Sequence, residues 1–264
     1  MNIFLHELKA YRKSTIIWSL SMYGLAIMYI LIFKGLGEDI EAFRVFISNL
    51  PDMAKKLFNI YLDSISTLEG FYSIVLPFVL LCGAIQAMNL GISILSKEVR
   101  DKTADFLMTK PVSRVLVLSA KIFAAFSLLL VTNIIYLVLT VTSTTAIVAE
   151  YNVKLFLMLS LTLFFVQLIF MFLGIIISVM AGKIKSVISI SLSTVFGFYI
   201  IGSLGSVIGE DKARYISPFR YFDAGYIIRN AAYETSYIIV GCVFIIAAIA
   251  GSYLIYKKKD IHAV

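Results

Sequence analysis

The sequence predicts an all-α membrane protein with six transmembrane helices, and three observations carry that prediction. Of its 264 residues, 60% are hydrophobic and only 15% charged, too little polar surface to cover a water-soluble core of this size. The apolar residues gather in six runs, each long enough for a helix, which needs about 20 residues to cross about 30 Å of hydrocarbon. Runs such as Leu128 to Val131, followed by Ile134 to Leu139, are continuous, whereas a transmembrane β-barrel would alternate apolar and polar positions.

The first run, Thr15 to Phe33, follows a mixed-charge lead at residues 1–14. On a helical wheel Phe4, Leu8, Tyr11 and Trp18 fall near one side and Asn2, His6, Lys9 and Lys13 on the other. The lead is therefore either an amphipathic helix on the inner membrane surface or an ordinary basic flank. The run is long, follows Glu7 and has no small-residue cleavage site after it, which fits an uncleaved anchor and not a secretory signal. Residues 34–69 form a long loop in which Phe43, Phe46, Ile47, Leu50, Met53, Leu57, Phe58 and Tyr61 mix with charges at near-helical spacing. One or two amphipathic helices broken near Pro51 are expected there.

The second run is Gly70 to Leu95. The third, Val115 to Val148, exceeds one span, so its start is expected in the interface with Lys121 snorkelling towards the headgroups. The fourth is Leu155 to Ala181 and the fifth Ser186 to Ile208, near whose end Gly205 and Gly209 form a small-residue pair suited to close packing. Residues 209–235 lead to the sixth, Ser236 to Tyr256. Cys82 and Cys242 fall within spans and read as buried, unreactive thiols.

Cytoplasmic loops are rich in Lys and Arg. Placing the N-terminus inside gathers 14 basic residues there against 5 acids, and leaves 9 basic against 11 acidic outside. Both termini are thus expected in the cytoplasm, and residues 1–264 form one transmembrane domain. The net charge of +7 follows from this topology; the bases form no single stripe with interleaved aromatics, so nucleic acid is not an expected partner.

Several chemistries have no carrier. The span cores hold no Asp or Glu for a proton or sodium relay. The two histidines, His6 and His262, lie near the ends, and no HExxH pair is present. Gly182-Lys183 only superficially resembles a phosphate-binding loop, because Ile177 replaces the upstream glycine and Ile184 the magnesium-binding hydroxyl. No catalytic or metal-binding residues are expected. The neutral polar residues within spans, Gln86, Asn89, Thr132, Asn133 and Gln167, either line a path or hydrogen-bond between helices.

The polar island from Lys97 to Arg114, KEVRDKTADFLMTKPVSR, separates the second and third runs. Lys97 with Asp101 and Glu98 with Lys102 are spaced four apart, which supports a solvated helix ending before Pro111. Phe106, Leu107 and Met108 are apolar among these charges. They suit insertion into a cleft on a cytoplasmic partner, or a loop folded back with Phe106 and Leu107 in lipid.

From Glu98 through TADFLMTKPVSR to Lys121, the chain resembles the first cytoplasmic loop of type-2 ABC exporter permeases. The likeness extends to the charged lead, a long outer loop ending in Leu68-Glu69-Gly70-Phe71, the six spans, and Ser217-Pro218-Phe219-Arg220-Tyr221 before the last span. Lys102-Thr103 stands where many members have Gly-Thr, so the local turn departs from the pattern.

The resemblance implies the permease subunit of an ATP-binding-cassette exporter in a bacterial plasma membrane. It would pair with a second permease, identical or different, and rest on a separate ATPase subunit that holds ATP and Mg; this chain would bind no cofactor. In the 96–114 coupling loop, Glu98 to Met108 would be the coupling helix, with Phe106 and Leu107 as plug and Glu98, Arg100 and Asp101 as rim charges. Lys102, Thr103, Met108, Pro111 and Arg114 complete the docking set. Gln86, Asn89, Asn133 and Gln167 are the pathway candidates, and Pro218, Phe219, Arg220 and Tyr221 the extracellular gate candidates. Members place short re-entrant helices before the last span, but Arg220, Asp223 and Arg229 make this segment polar enough to be expected near the outer interface. The alternative function is a non-transporting subunit that transmits ATPase-driven conformational change to a partner.

Overall fold

The computed structural model describes residues 3–57, 60–100, 113–181, 184–209 and 212–258. The regular elements among them are all helical: α1 (Ile3–Leu36), α2 (Ile40–Ser48), α3 (Asp52–Leu57), α4 (Leu68–Arg100), α5 (Arg114–Ile147), α6 (Val153–Met180), α7 (Val187–Ile208), α8 (Lys212–Ile216), α9 (Ala224–Asn230) and α10 (Thr235–Lys258), with short 3-10 turns at Gly37–Asp39 and Pro218–Arg220. Six of them, α1, α4, α5, α6, α7 and α10, are long and apolar enough to cross a membrane, and they contain the six apolar runs.

Local signals set several boundaries. The side chains of Ser113, Asn152 and Ser186 accept hydrogen bonds from the backbone N–H of Leu116, Leu155 and Ser189, which caps α5, α6 and α7. Gly209, at φ +77°, ends α7 in the left-handed conformation that glycine adopts without strain. The amphipathic pair expected in residues 34–69 is present as α2 and α3, broken between Asn49 and Pro51. The lead does not form a separate surface helix. It supplies the first turns of α1, whose 34 residues extend about 51 Å, well beyond the hydrocarbon thickness. Phe4, Leu8, Tyr11 and Trp18 pack against the core while His6, Lys9 and Lys13 are exposed, as the wheel requires.

The start of α1, the end of α4, the start of α5 and the end of α10 share one end of the bundle, here the terminal end: Glu7 meets Lys97 and Lys121, and Arg114 donates to the Lys257 carbonyl at 3.3 Å. The opposite, distal end gathers residues 37–57 and 60–67, the α5–α6 turn and residues 212–234. There the Glu69 carboxylate accepts from the Asn152 N–H.

The principal packing joins alternate spans running in parallel. Helix α4 lies along α6, meeting it at Tyr72 with Phe156, at Gln86 with Gln167 and at Gly91 with Met171. Helix α1 follows α5 from Glu7–Lys121 to the Tyr23–Ser143 hydrogen bond at 2.7 Å. The α4–α6 seam uses Gly83, Ala87 and Gly91, spaced four apart on one face. A methyl group on Gly91 would sit 2.3 Å from the Met171 carbonyl oxygen, and one on Gly174 2.7 Å from that of Met88. Such close backbone approach is how small residues bring helices together in lipid, where no hydrophobic effect drives association. The expected Gly205–Gly209 seam is corrected: Gly209 is a helix terminator with open space around its Cα.

Candidate functional site

The functional candidates occupy three levels of the bundle. At the terminal end, four side chains from three helices form an alternating ionic chain. The Lys97 ammonium meets Glu7 at 2.5 Å; the other Glu7 oxygen lies 3.0 Å from the Lys121 ammonium; and Lys121 also donates to the Glu98 carboxylate and the Ile94 carbonyl. Glu7 and Lys121 are each 1% exposed, and Lys97 and Glu98 are 17% and 16% exposed. Lys97 additionally lies over the Tyr11 ring, 5.6 Å from its centre.

The expectation that Lys121 snorkels to the headgroups is therefore corrected. An ammonium has three N–H donors, and Glu7, Glu98 and Ile94 meet all three inside the protein. Sequence reading missed this cluster because Glu7 and Lys121 are 114 residues apart. A signal was nonetheless present: Glu7 shares the apolar side of the wheel with Phe4, Leu8 and Tyr11.

Of the docking set, Glu98 belongs to this chain, Arg100 is exposed at the last turn of α4, and Arg114 opens α5 beside Lys257. Asp101, Lys102, Thr103, Phe106, Leu107, Met108 and Pro111 lie outside the described residues.

At mid-bundle, the Gln86 amide donates to the Thr132 hydroxyl at 2.9 Å, Gln167 to the Gln86 carbonyl at 3.0 Å, and Asn133 to the Gln167 carbonyl at 2.6 Å. All four side chains are buried, and they join α4, α5 and α6. Asn89 stands apart, half-buried in a cleft of about 50 Å³ between α1 and α4 that Tyr11, Ser14, Thr15, Trp18, Leu90 and Ser93 also line. Gln86 touches both the cleft and the network. Gln167→Leu removes two of these bonds. Interhelical hydrogen bonds in membrane proteins contribute on average about 0.6 and at most about 1.7 kcal/mol, so a loss of about 1–2 kcal/mol is expected in a denaturant titration of the detergent-solubilised protein.

At the distal end, residues 212–230 dip into the bundle. The Ser217 hydroxyl donates to the Phe198 carbonyl at 2.8 Å. Phe198 lies ten residues before the end of α7, about 15 Å along its axis. Phe219 packs on Phe170 and Tyr199, and Phe222 stacks on Phe165. Gly202 makes room, since a methyl there would lie 2.5 Å from the Ser217 hydroxyl. The segment, expected from the sequence to be extracellular or re-entrant, thus packs against the interior faces of α6 and α7.

Its charges tolerate depth because they find partners within the protein. Arg214 pairs with Glu234 at 2.5 Å, donates to the Arg220 carbonyl at 3.3 Å and lies over the Tyr237 ring. Desolvation alone would lower the Arg214 pKa, but Glu234 outweighs it and leaves it raised. Asp223 caps α9 through the Tyr226 N–H and accepts the Tyr61 hydroxyl at 2.9 Å; burial first, then the Asp223 charge, raises the Tyr61 phenol.

Of the gate candidates, Pro218 and Tyr221 are buried, and Phe219 and Arg220 half-buried. Arg220 and Asp223 line both an apolar slot against Leu76, Pro77 and Leu80 of α4 and, above it, an open polar basin of about 720 Å³ bordered by Lys55, Lys56, Arg229 and Glu234. An ionisable pair thus reaches the bundle interior although the spans themselves carry none at that level; a span-by-span reading could not find it, because a connecting segment delivers it.

A helical bundle of six apolar spans, with a polar connection at one end and a segment packed into the bundle at the other, defines a polytopic membrane protein. A family model described as "ABC-2 family transporter protein" matches residues 1–261, and the chain belongs to that family. It is accordingly a multi-pass membrane protein fitting the permease subunit of an ABC transporter, a class generally without catalytic activity of its own and implying an ABC ATPase partner. Neither a curated protein nor a solved structure matches the chain.

Proposed function

We propose that this chain is the permease of an ATP-binding-cassette exporter, pairing with a second permease in a bacterial plasma membrane and docking a separate ATPase through residues 98–108. The observation that supports docking most directly is the placement of the α4–α5 connection. It leaves the bundle at the same end as the basic lead, and its roots, Glu98 and Arg114, are tied to α1, α5 and α10. The excess of Lys and Arg at this end supports a cytoplasmic location.

In this reading Phe106 and Leu107 plug a cleft on the ATPase, which holds ATP and Mg, while the rim charges Arg100 and Asp101 orient the contact and Glu98, the third, is turned inward to Lys121. Pro218, Phe219, Arg220 and Tyr221 form the outer gate, with Arg220 facing the distal basin. ATP binding moves the docked segment and shifts the bundle between two access states, each stabilised by different contacts.

The alternative, a subunit that transmits force or signal without transporting, is favoured by the burial of Gln86, Asn133 and Gln167 and their hydrogen bonds between helices. A transported molecule then passes between subunits or not at all, with Asn89 and Gln86 the pathway candidates facing a cleft. The docking test is the double substitution Phe106→Asp/Leu107→Asp. Membrane insertion is expected to be normal, with ATP hydrolysis uncoupled from transport; unchanged assembly and transport would refute the docking role.

A further inference from the structure

We infer that α1 is a moving part of the coupling apparatus: the Lys97–Glu7–Lys121–Glu98 chain fastens its first turns to the root of the docking segment. Nucleotide-driven displacement of that segment carries α1 with it. This inference rests on the docking reading above.

The fastening is physical. Glu98 is the first residue of the docking segment, yet its carboxylate points inward to Lys121, which also holds Glu7. Both Glu7 oxygens are engaged, and the two acids balance the two bases. If α4 and α5 moved while α1 stayed behind, the Glu7 carboxylate, 1% exposed, would lose both lysines and be left buried and unpaired. Moving together is the route that avoids this.

Stability alone does not account for such a cluster, since well-packed apolar side chains commonly replace buried ion pairs without loss. Helix α1 is also suited to transmit displacement. It runs 34 residues without proline and stays against α5 as far as the Tyr23–Ser143 bond, ending beside α2 at the distal end. Glu7 and Lys121 are therefore positioning residues: they touch neither ATPase nor cargo, and they determine whether α1 follows.

The test uses the complex purified with its ATPase, with Cys82 and Cys242 replaced by Ala. Spin labels are attached at two exposed terminal-end positions, His6→Cys in α1 and Ile188→Cys at the start of α7. Pulsed electron resonance then reads the α1–α7 distance with and without ATP plus vanadate. A nucleotide-dependent shift is expected in the parent, retained in Lys121→Arg, and lost in Glu7→Gln/Lys121→Met while the ATPase still co-purifies and hydrolyses ATP. An equal shift in the double variant, or none in the parent despite hydrolysis, overturns the inference. Failure of any ATPase to co-purify with the parent overturns the docking reading instead.

Discussion

Lys121→Met is expected to cost about 3–5 kcal/mol of stability, the range for removing one partner of a buried ion pair. The lost attraction is the smaller part of this cost. With the ammonium gone, Glu7 keeps only Lys97, and its second oxygen is left in an apolar environment; Glu98 and the Ile94 carbonyl lose a donor as well. Glu7→Gln/Lys121→Met should recover most of the loss, because the remaining Lys97 and Glu98 side chains are 17% and 16% exposed and can reach water. Unfolding titrations of both variants in bicelles check this. A single variant as stable as the parent would show that the cluster is already hydrated.

Gly91→Ala is expected to loosen the α4–α6 seam, at about 1–3 kcal/mol, the usual cost of overpacking. The added methyl meets the Met171 carbonyl oxygen at 2.3 Å, with the Ile175 nitrogen at 3.2 Å. Both are backbone atoms, so no side-chain rotation relieves the contact and the helices must separate. Gly174→Ala faces the same crossing from the other helix, so the two losses should add to less than their sum. Gly24→Ala in α1 is the control: nothing lies within 4 Å of its added methyl, and removing a mid-helix glycine should stabilise by about 0.8–1 kcal/mol. Thermal unfolding of the three variants in one detergent separates these outcomes.

Much of this architecture was legible because the responsible physics is local. Six spans follow from run length and hydropathy, and the α2–α3 break from Pro51. Which helices pair is not local. Gly83, Ala87 and Gly91 repeat the four-residue small spacing that Gly205 and Gly209 also show, and spacing alone does not separate the pattern that makes a seam from the one that ends a helix. Hydropathy also judges each charge alone. It sent Lys121 to the headgroups because Glu7 was too distant in sequence to be seen as its partner, and it held Asp223 at the interface because its partner Tyr61 lies 162 residues away. The docking residues between Asp101 and Pro111 remain an expectation from resemblance, outside the described residues.

Affinity purification of the tagged protein from its native membrane in mild detergent, with mass spectrometry and an ATPase assay of the eluate, tests the central claim most directly. Recovery of an ATP-hydrolysing subunit that Phe106→Asp/Leu107→Asp removes is the predicted result. An eluate without such a partner under several gentle conditions would contradict the account and leave an autonomous membrane protein.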